Sequence, residues 1–189
     1  TFTVSSDASN GTASIDAAGV WTYVPNQHFN GSDSFTVKVT DDDGHDETQV
    51  ITLTVDPVND DPTLDAISDV NINEDDDEQT IDLTGIAAGG GEIQGLEITA
   101  TSNNTGLIPD PTVTYTSANP AGTLAFTPFA NQNGTATITV TVEDGGLDNN
   151  LATPGDNATV VRTFTVNGAP VNDPGAFSGD TSGSGSEDA

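Results

Sequence analysis

Apolar residues alternate with Thr or Ser through much of the chain, in the stretches 1–5, 20–24, 34–40, 48–55, 96–101, 112–116, 123–127, 135–142 and 159–166. A period of two sends successive side chains to opposite faces of a pleated backbone, so each stretch predicts a half-buried β-strand. The clearest is Ala136-Thr137-Ile138-Thr139-Val140-Thr141-Val142, aliphatic on one face and Thr on the other. Nothing in the chain sustains the 3.6-residue spacing of an amphipathic helix. Clusters of Gly, Asn, Asp and Pro interrupt the strands at roughly the 8–12-residue intervals of a β-sandwich. The fold class predicted is all-β.

The chain also repeats itself. Residues 23–41 align without a gap onto 126–144 at an offset of 103, matching Pro25 with Pro128, Asn30 with Asn133, Gly31 with Gly134, Val37 with Val140 and Asp41 with Asp144. A further strand and then Pro-Val-Asn-Asp follows each block, at 57–60 and again at 170–173. Both junctions are short and bounded by proline, which fixes φ and stiffens the backbone. They divide the chain into 1–56, the C-terminal half of a sandwich; a connector, 57–62; a complete sandwich, 63–167; a second connector, 168–174; and 175–189, the first strand of a following domain. An acidic pair comes 12 residues after Pro62, at Glu74-Asp75, and 13 after Pro174, at Glu187-Asp188, which supports this phasing. The missing strands of 1–56 are expected from upstream sequence or from another copy of the chain.

Composition narrows the function. Two Lys+Arg stand against 30 Asp+Glu, a formal charge of −28, and there is no Cys or Met. Nucleic acid is excluded as a partner, because neutralising phosphates takes clustered basic residues and only Lys38 and Arg162 are present. No apolar run approaches the roughly 20 residues of a spanning helix, so membrane insertion is not expected. Without Cys there is no disulfide framework, thiol nucleophile or thiolate metal site. Low hydrophobicity with high charge is the signature of disorder, but the Thr-, Val- and Ile-rich alternation argues for ordered strands. Such a charge repels itself unless the carboxylates are dispersed or neutralised by cations.

Several segments resemble the cadherin-like tandem repeats of large bacterial surface proteins, including those of RTX-type adhesins. They are Gly19-Val20-Trp21-Thr22-Tyr23-Val24-Pro25, Phe29-Asn30-Gly31-Ser32-Asp33-Ser34-Phe35-Thr36-Val37, Val39-Thr40-Asp41-Asp42-Asp43-Gly44 and Thr54-Val55-Asp56-Pro57-Val58-Asn59-Asp60-Asp61-Pro62. The likeness is strong over 1–62; beyond that only the closing half of 63–174 follows the pattern well. It implies seven-stranded Greek-key sandwiches joined end to end, with calcium at the junctions.

Calcium takes six to eight oxygen ligands, and Asp- and Asn-rich turns supply them at short spacing. A single Asp in a turn is ordinarily only a turn former; the repeated Asn-Asp connector beside acidic loops is what points to a metal. In the implied topology Glu74 and Asp75 sit at the lower end of the second domain, near Asn172 and Asp173. The loop at Glu143-Asp144 faces upward, toward Asn59, Asp60 and Asp61. Asp41 and Asp43 face a preceding connector. Related repeats carry an Asp-x-Asp loop between the second and third strands, where this chain reads Ile86-Ala87-Ala88-Gly89-Gly90-Gly91-Glu92, with one acid.

Catalysis is not expected. The two histidines, His28 and His45, are far apart in sequence, and no Gly-x-Ser-x-Gly elbow stands behind a serine nucleophile. General-acid work requires a carboxyl in a largely apolar pocket, and these acids fall in solvated turns. The reading is an extracellular structural segment: a calcium-rigidified stalk or fibre of an adhesin, or a cell-surface or matrix filament. Its partners are further copies of the repeat, in one covalent array or as a head-to-tail fibre, with strand addition as a sharper variant. The competing readings are a calcium-dependent module binding polysaccharide through Trp21 and Tyr23, and a homophilic cell-adhesion module.

Overall fold

A computed structural model describes residues 1–173. The strands are β1 (Phe2–Ser6), β2 (Gly11–Ile15), β3 (Trp21–Pro25), β4 (Gly31–Thr40), β5 (Asp46–Val55), β6 (Val70–Asn73), β7 (Gln79–Thr84), β8 (Leu96–Ser102), β9 (Thr112–Thr114), β10 (Ala121–Phe126), β11 (Gly134–Asp144) and β12 (Thr159–Ala169). No helix occurs among the described residues, in agreement with the all-β expectation. Three strands lie outside the stretches picked out by alternation: β2, β6 and β7. Each holds only two inward apolar positions (Ala13 and Ile15, Val70 and Ile72, Ile81 and Leu83), too few for the period to stand out. The segment 175–189, expected to open a further domain, lies outside the described residues.

The later strands form two sheets, β7-β10-β9 and β6-β12-β11-β8. Leu83, Leu124 and Phe126 of the first meet Ile98, Ile138, Val140, Val142, Phe164 and Val166 of the second in one buried cluster. Along β11 every second residue from Ala136 to Asp144 is buried, so alternation here directly encodes the packed face. The edge strand β6 runs parallel to β12, with Val70 opposite Val166 and Asn73 opposite Ala169. Upstream of β6, Thr63 bridges Ala87 just beyond β7, so the opening segment touches both sheets in turn. This is the seven-stranded Greek-key sandwich arrangement.

The earlier strands form the sheets β1-β4-β5 and β2-β3. Gly31 pairs with Val55 and Gly134 pairs with Gly168, so β4-β5 has the register of β11-β12. Lining up β4 with β11 makes β1 and β5 the counterparts of β8 and β12, and β2-β3 those of β9-β10. Residues 1–56 hold no counterparts of β6 and β7, and their packing is correspondingly open. Phe35 is the one buried apolar side chain among residues 1–56, whereas Trp21 is 43 % and Val50 56 % exposed. The Trp21 ring meets Phe35 edge-on at 5.6 Å, and Tyr23 lies parallel to Phe35 on centroids 6.5 Å apart.

Candidate functional site

The connector carries Asn59 into the upper end of the later sandwich. Its Nδ2 donates to both carboxylate oxygens of Asp144 at 3.2 Å and to the Asp156 carbonyl at 3.1 Å. Asp144 ends β11 fully buried, and also accepts from the Gly146 and Ala158 amides at 2.9 Å. Gln94 lies on the other side, where its Nε2 donates to Asn59 Oδ1 at 2.7 Å and to Glu92 Oε2 at 3.0 Å. The same Glu92 oxygen accepts the Asp60 amide at 3.2 Å. Glu143 holds the amide nitrogen of Asn157 at 2.9 Å. Two oxygens in this cluster, Gln94 Oε1 and Asn157 Oδ1, are buried with no hydrogen-bond partner. Gly89 closes the loop against the connector: its φ is +95°, and a Cβ there would clash with the Asp61 carbonyl oxygen.

A second cluster forms at the lower end. Glu74 is buried, receiving Asn133 Nδ2 at 2.9 Å and the Val171 amide at 2.8 Å. The Asn133 side chain and the Val171 amide hold the Glu74 carboxyl below its ordinary value, and burial opposes them only in part. The Asn131 amide donates to Asp75 at 2.8 Å. With its side-chain nitrogen turned toward Asp173, Asn131 also donates to that carboxylate at 2.6 and 3.2 Å. Asn172 donates only to the neighbouring Asp173 carbonyl, at 3.4 Å.

The structure thus brings Asn59 to Asp144, with Asp60 joined through its amide to Glu92; at the lower end Glu74 meets Val171 of the connector, and Asp75 and Asp173 share Asn131. Glu143 reaches the upper cluster through Asn157. Asp61 contributes its backbone near Gly89, and its side chain is exposed. Asp41 and Asp43 lie apart from both, gathered with His45 in an exposed turn within 4.8 Å of one another. The His45 and Asp43 amides, bonded to Asp41 Oδ1, hold the Asp41 carboxyl below its usual value against a smaller effect of burial.

Sequence reasoning did not assign roles to Glu92, Gln94, Asp156, Asn157 or His28. Glu92 stood out as the lone acid of its loop, but the neighbouring Gln94 gave no signal because an amide carries no charge. His28 was legible through the 103-residue offset, which pairs it with Asn131. Both take the left-handed conformation, at φ 60° and 56°, and both reach the connector aspartate. His28 Nδ1 lies 2.8 Å from Asp60 Oδ2.

Residues 1–57 match the family model of the bacterial cadherin-like domain. Among curated proteins no sequence matches. Among solved structures, domains 1–6 of the surface layer protein SbsC align at 18 % identity with a TM-score of 0.43, covering 91 % of this chain and 20 % of that one. The human mucin-like protocadherin EC1-2 aligns at 13 % identity with a TM-score of 0.47, covering 90 % of this chain and 84 % of its own. An endo-fucoidan hydrolase of glycoside hydrolase family 107 aligns at 20 % identity and a TM-score of 0.41, covering 91 % and 24 %. The chain spans about a fifth of the SbsC structure it matches.

Proposed function

We propose that this chain is a run of cadherin-like repeats from an extracellular surface protein, acting as a spacer whose joints are rigidified by calcium. The units are 1–56, 63–167 and the opening of a third at 175–189, joined by the connectors 57–62 and 168–174. The supporting observation is the upper cluster. Its donor set is all oxygen: the carboxylates of Glu92, Glu143 and Asp144, the Asp156 carbonyl, and the two buried amide oxygens of Gln94 and Asn157 that lack a partner. A buried acceptor left unsatisfied costs about 1–3 kcal/mol. A hard divalent cation is the ligand that oxygens of this kind select.

These residues fit calcium, and Asn59, Asp60, Glu92, Gln94, Glu143 and Asp144 are the ones that would hold it. Bound there, the ion supplies positive charge against a carboxylate-rich joint in a chain of net charge −28. The protein's own part is positioning: β11 delivers Asp144, the loop before β8 delivers Glu92 and Gln94, and the connector delivers Asn59 and Asp60. Because Asn59 and Asp60 belong to the link itself, occupancy restrains the angle between the units. Repeating such a head-to-tail joint without closure produces a stalk or fibre. Asp75 and Asp173 at the second connector repeat the pattern of acids crossing a joint.

A polysaccharide platform would need Trp21 and Tyr23 to face outward. Both rings instead lean on the buried Phe35, and the Tyr23 hydroxyl donates to the buried Asp33 at 2.9 Å, which favours a packing role. The test is calorimetric calcium titration together with thermal melting and small-angle scattering, with and without chelator. Calcium should bind, raise the melting temperature and narrow the distribution of interdomain distances. Identical melting and scattering curves in both buffers would reject the proposal.

A further inference from the structure

The first connector is tied to the earlier unit by a bond that lies outside the upper cluster. His28 sits in the turn between β3 and β4, and that turn is rooted in the earlier unit. The Asn26 amide donates to the Asn10 carbonyl at 2.8 Å, and the Phe29 amide to the Asn26 carbonyl at 3.1 Å. From this turn His28 Nδ1 reaches Asp60 Oδ2 at 2.8 Å, with the two side chains 37 % and 31 % exposed. An ionised carboxylate only accepts, so Nδ1 is the donor. The Asp60 backbone belongs to the other side of the joint, because its amide donates to Glu92 Oε2 at 3.2 Å. Gly90 closes on the same carboxylate: its φ is +50°, and a Cβ there would clash with Asp60 Oδ2. One aspartate is therefore held by its side chain to the earlier unit and by its backbone to the later one.

The second connector repeats the bond with a different side chain. Asn131 corresponds to His28 at the offset of 103, and Asp173 corresponds to Asp60 in the repeated Pro-Val-Asn-Asp. Because β4-β5 and β11-β12 share one register, the two pairs occupy the same place in their units. His28 and Asn131 both adopt the left-handed conformation, at φ 60° and 56°. Asn131 Nδ2, turned toward Asp173, donates to that carboxylate at 2.6 and 3.2 Å. Imidazole Nδ1 and amide Nδ2 stand the same number of bonds from Cα, each on a planar group. What the two joints have in common is thus one N–H donor at a fixed reach, aimed by one backbone conformation.

We propose that His28 and Asn131 are positioning residues, each a metal-independent latch that fixes its sandwich against the connector leaving it. The hydrogen bonds of Asn59 and Asp60 to the upper cluster tie the connector only to the later sandwich; the latch supplies the link to the earlier one. Nothing apolar substitutes for it on this side. A cavity of about 410 Å³, lined by Pro25, His28, Phe29, Val58, Asp60 and Glu92, spans the joint, and units without a large hydrophobic interface move relative to one another by default. This inference rests on the reading of the chain as units in tandem, and does not require that calcium occupy the upper cluster.

The test is the distance between two spin labels in the full chain, measured by pulsed electron resonance in chelator and in calcium. The chain has no cysteine, so Thr52→Cys and Thr99→Cys place the labels uniquely, at exposed positions on β5 and β8. His28→Gly removes the donor while keeping a positive φ without strain, which separates the side chain from the backbone. In chelator, wild type should give one narrow distance, and His28→Gly should lose it to a broad distribution. His28→Asn, which supplies the donor at the same reach, should restore the narrow distance. Unchanged amide resonances of β4 and β11 in all three show that the broadening arises at the joint. A broad wild-type distribution in chelator, a narrow one in His28→Gly, or His28→Asn as broad as His28→Gly would each overturn the assignment. Failure of calcium to bind, with these distances as expected, would sink the metal reading and leave the latch standing.

Discussion

Replacing Asp144 by Ala tests whether the upper cluster is held together by that carboxylate. Its oxygens accept from the Gly146 and Ala158 amides and from Asn59 Nδ2, and the side chain is fully buried. Stranding a buried donor costs about 1–3 kcal/mol, so the two amides alone imply about 2–6 kcal/mol. Asn59 loses less, because its nitrogen keeps the Asp156 carbonyl at 3.1 Å. Asn59→Ala should therefore cost only about 1 kcal/mol, since Asp144 retains both backbone donors. Urea unfolding in chelator, followed by far-ultraviolet dichroism, reads the difference. At a mid-range slope of about 2 kcal/mol per molar, Asp144→Ala should lower the midpoint by about 1–3 M. Trp21, the one tryptophan, reports separately on β3, and its transition should move less. Calcium adds a second arm: at a hundred times its Kd it stabilises a binding protein by about 2.7 kcal/mol, and the variant should lose that increment too. An Asp144→Ala penalty no larger than that of Asn59→Ala, in either buffer, would refute the reasoning.

Three further outcomes follow from particular contacts. Glu74 has a lowered folded-state pKa, so its stabilisation is complete above the ordinary value of 4.5 and disappears as pH falls through the folded value; in acid titrations of stability, Glu74→Gln should show a shallower loss below pH 4.5 than wild type. Ile138→Ala, at a fully buried position in β11, should cost about 2–5 kcal/mol in equilibrium unfolding through the cavity it leaves. Gly89→Ala drives a Cβ into the Asp61 carbonyl at φ +95°, so it should destabilise the connector contact and weaken calcium binding by calorimetry, whereas Gly91→Ala, with open space around its Cβ, should do so less.

The strands that alternation revealed are those long enough for the period to repeat. β11 buries five alternate positions, and its pattern was plain; β6 offers four residues, Val-Asn-Ile-Asn, within an acidic stretch, and was not. Its strand character comes from pairing along β12, a tertiary interaction that no local propensity encodes. The connector acids were legible because the Pro-Val-Asn-Asp motif occurs twice, and the implied topology set Glu74 near the second connector, whose Val171 amide donates to it. Neutral partners were not legible. Gln94 and Asn157 matter through burial and through the direction of an amide oxygen, and both depend on how the loops before β8 and β12 close.

Other neutral donors explain how a chain with two basic residues holds its buried acids. Asp144, Asp33 and Glu74 are all buried, and none is paired with Lys or Arg. Each is met by amides: two backbone donors and Asn59 for Asp144, Asn133 and the Val171 amide for Glu74. Burial pushes the Asp33 carboxyl up, yet the Asn10, Ser34 and Ser9 amides and the Tyr23 hydroxyl outweigh it and hold the group below its usual value. Donors of this kind stabilise an anion without cancelling its charge, so the field of the carboxylates persists beyond their own shell. Two of these three acids lie where a connector meets a sandwich, beside further carboxylates at Asp60 and Glu92 or at Asp75 and Asp173. Amide bonding can therefore fix the local loops, but it leaves the joints strongly negative. Under the proposed calcium-rigidified joint, neutralisation there comes from outside the chain, and the joint between units, more than either core, is the element expected to respond to divalent cations.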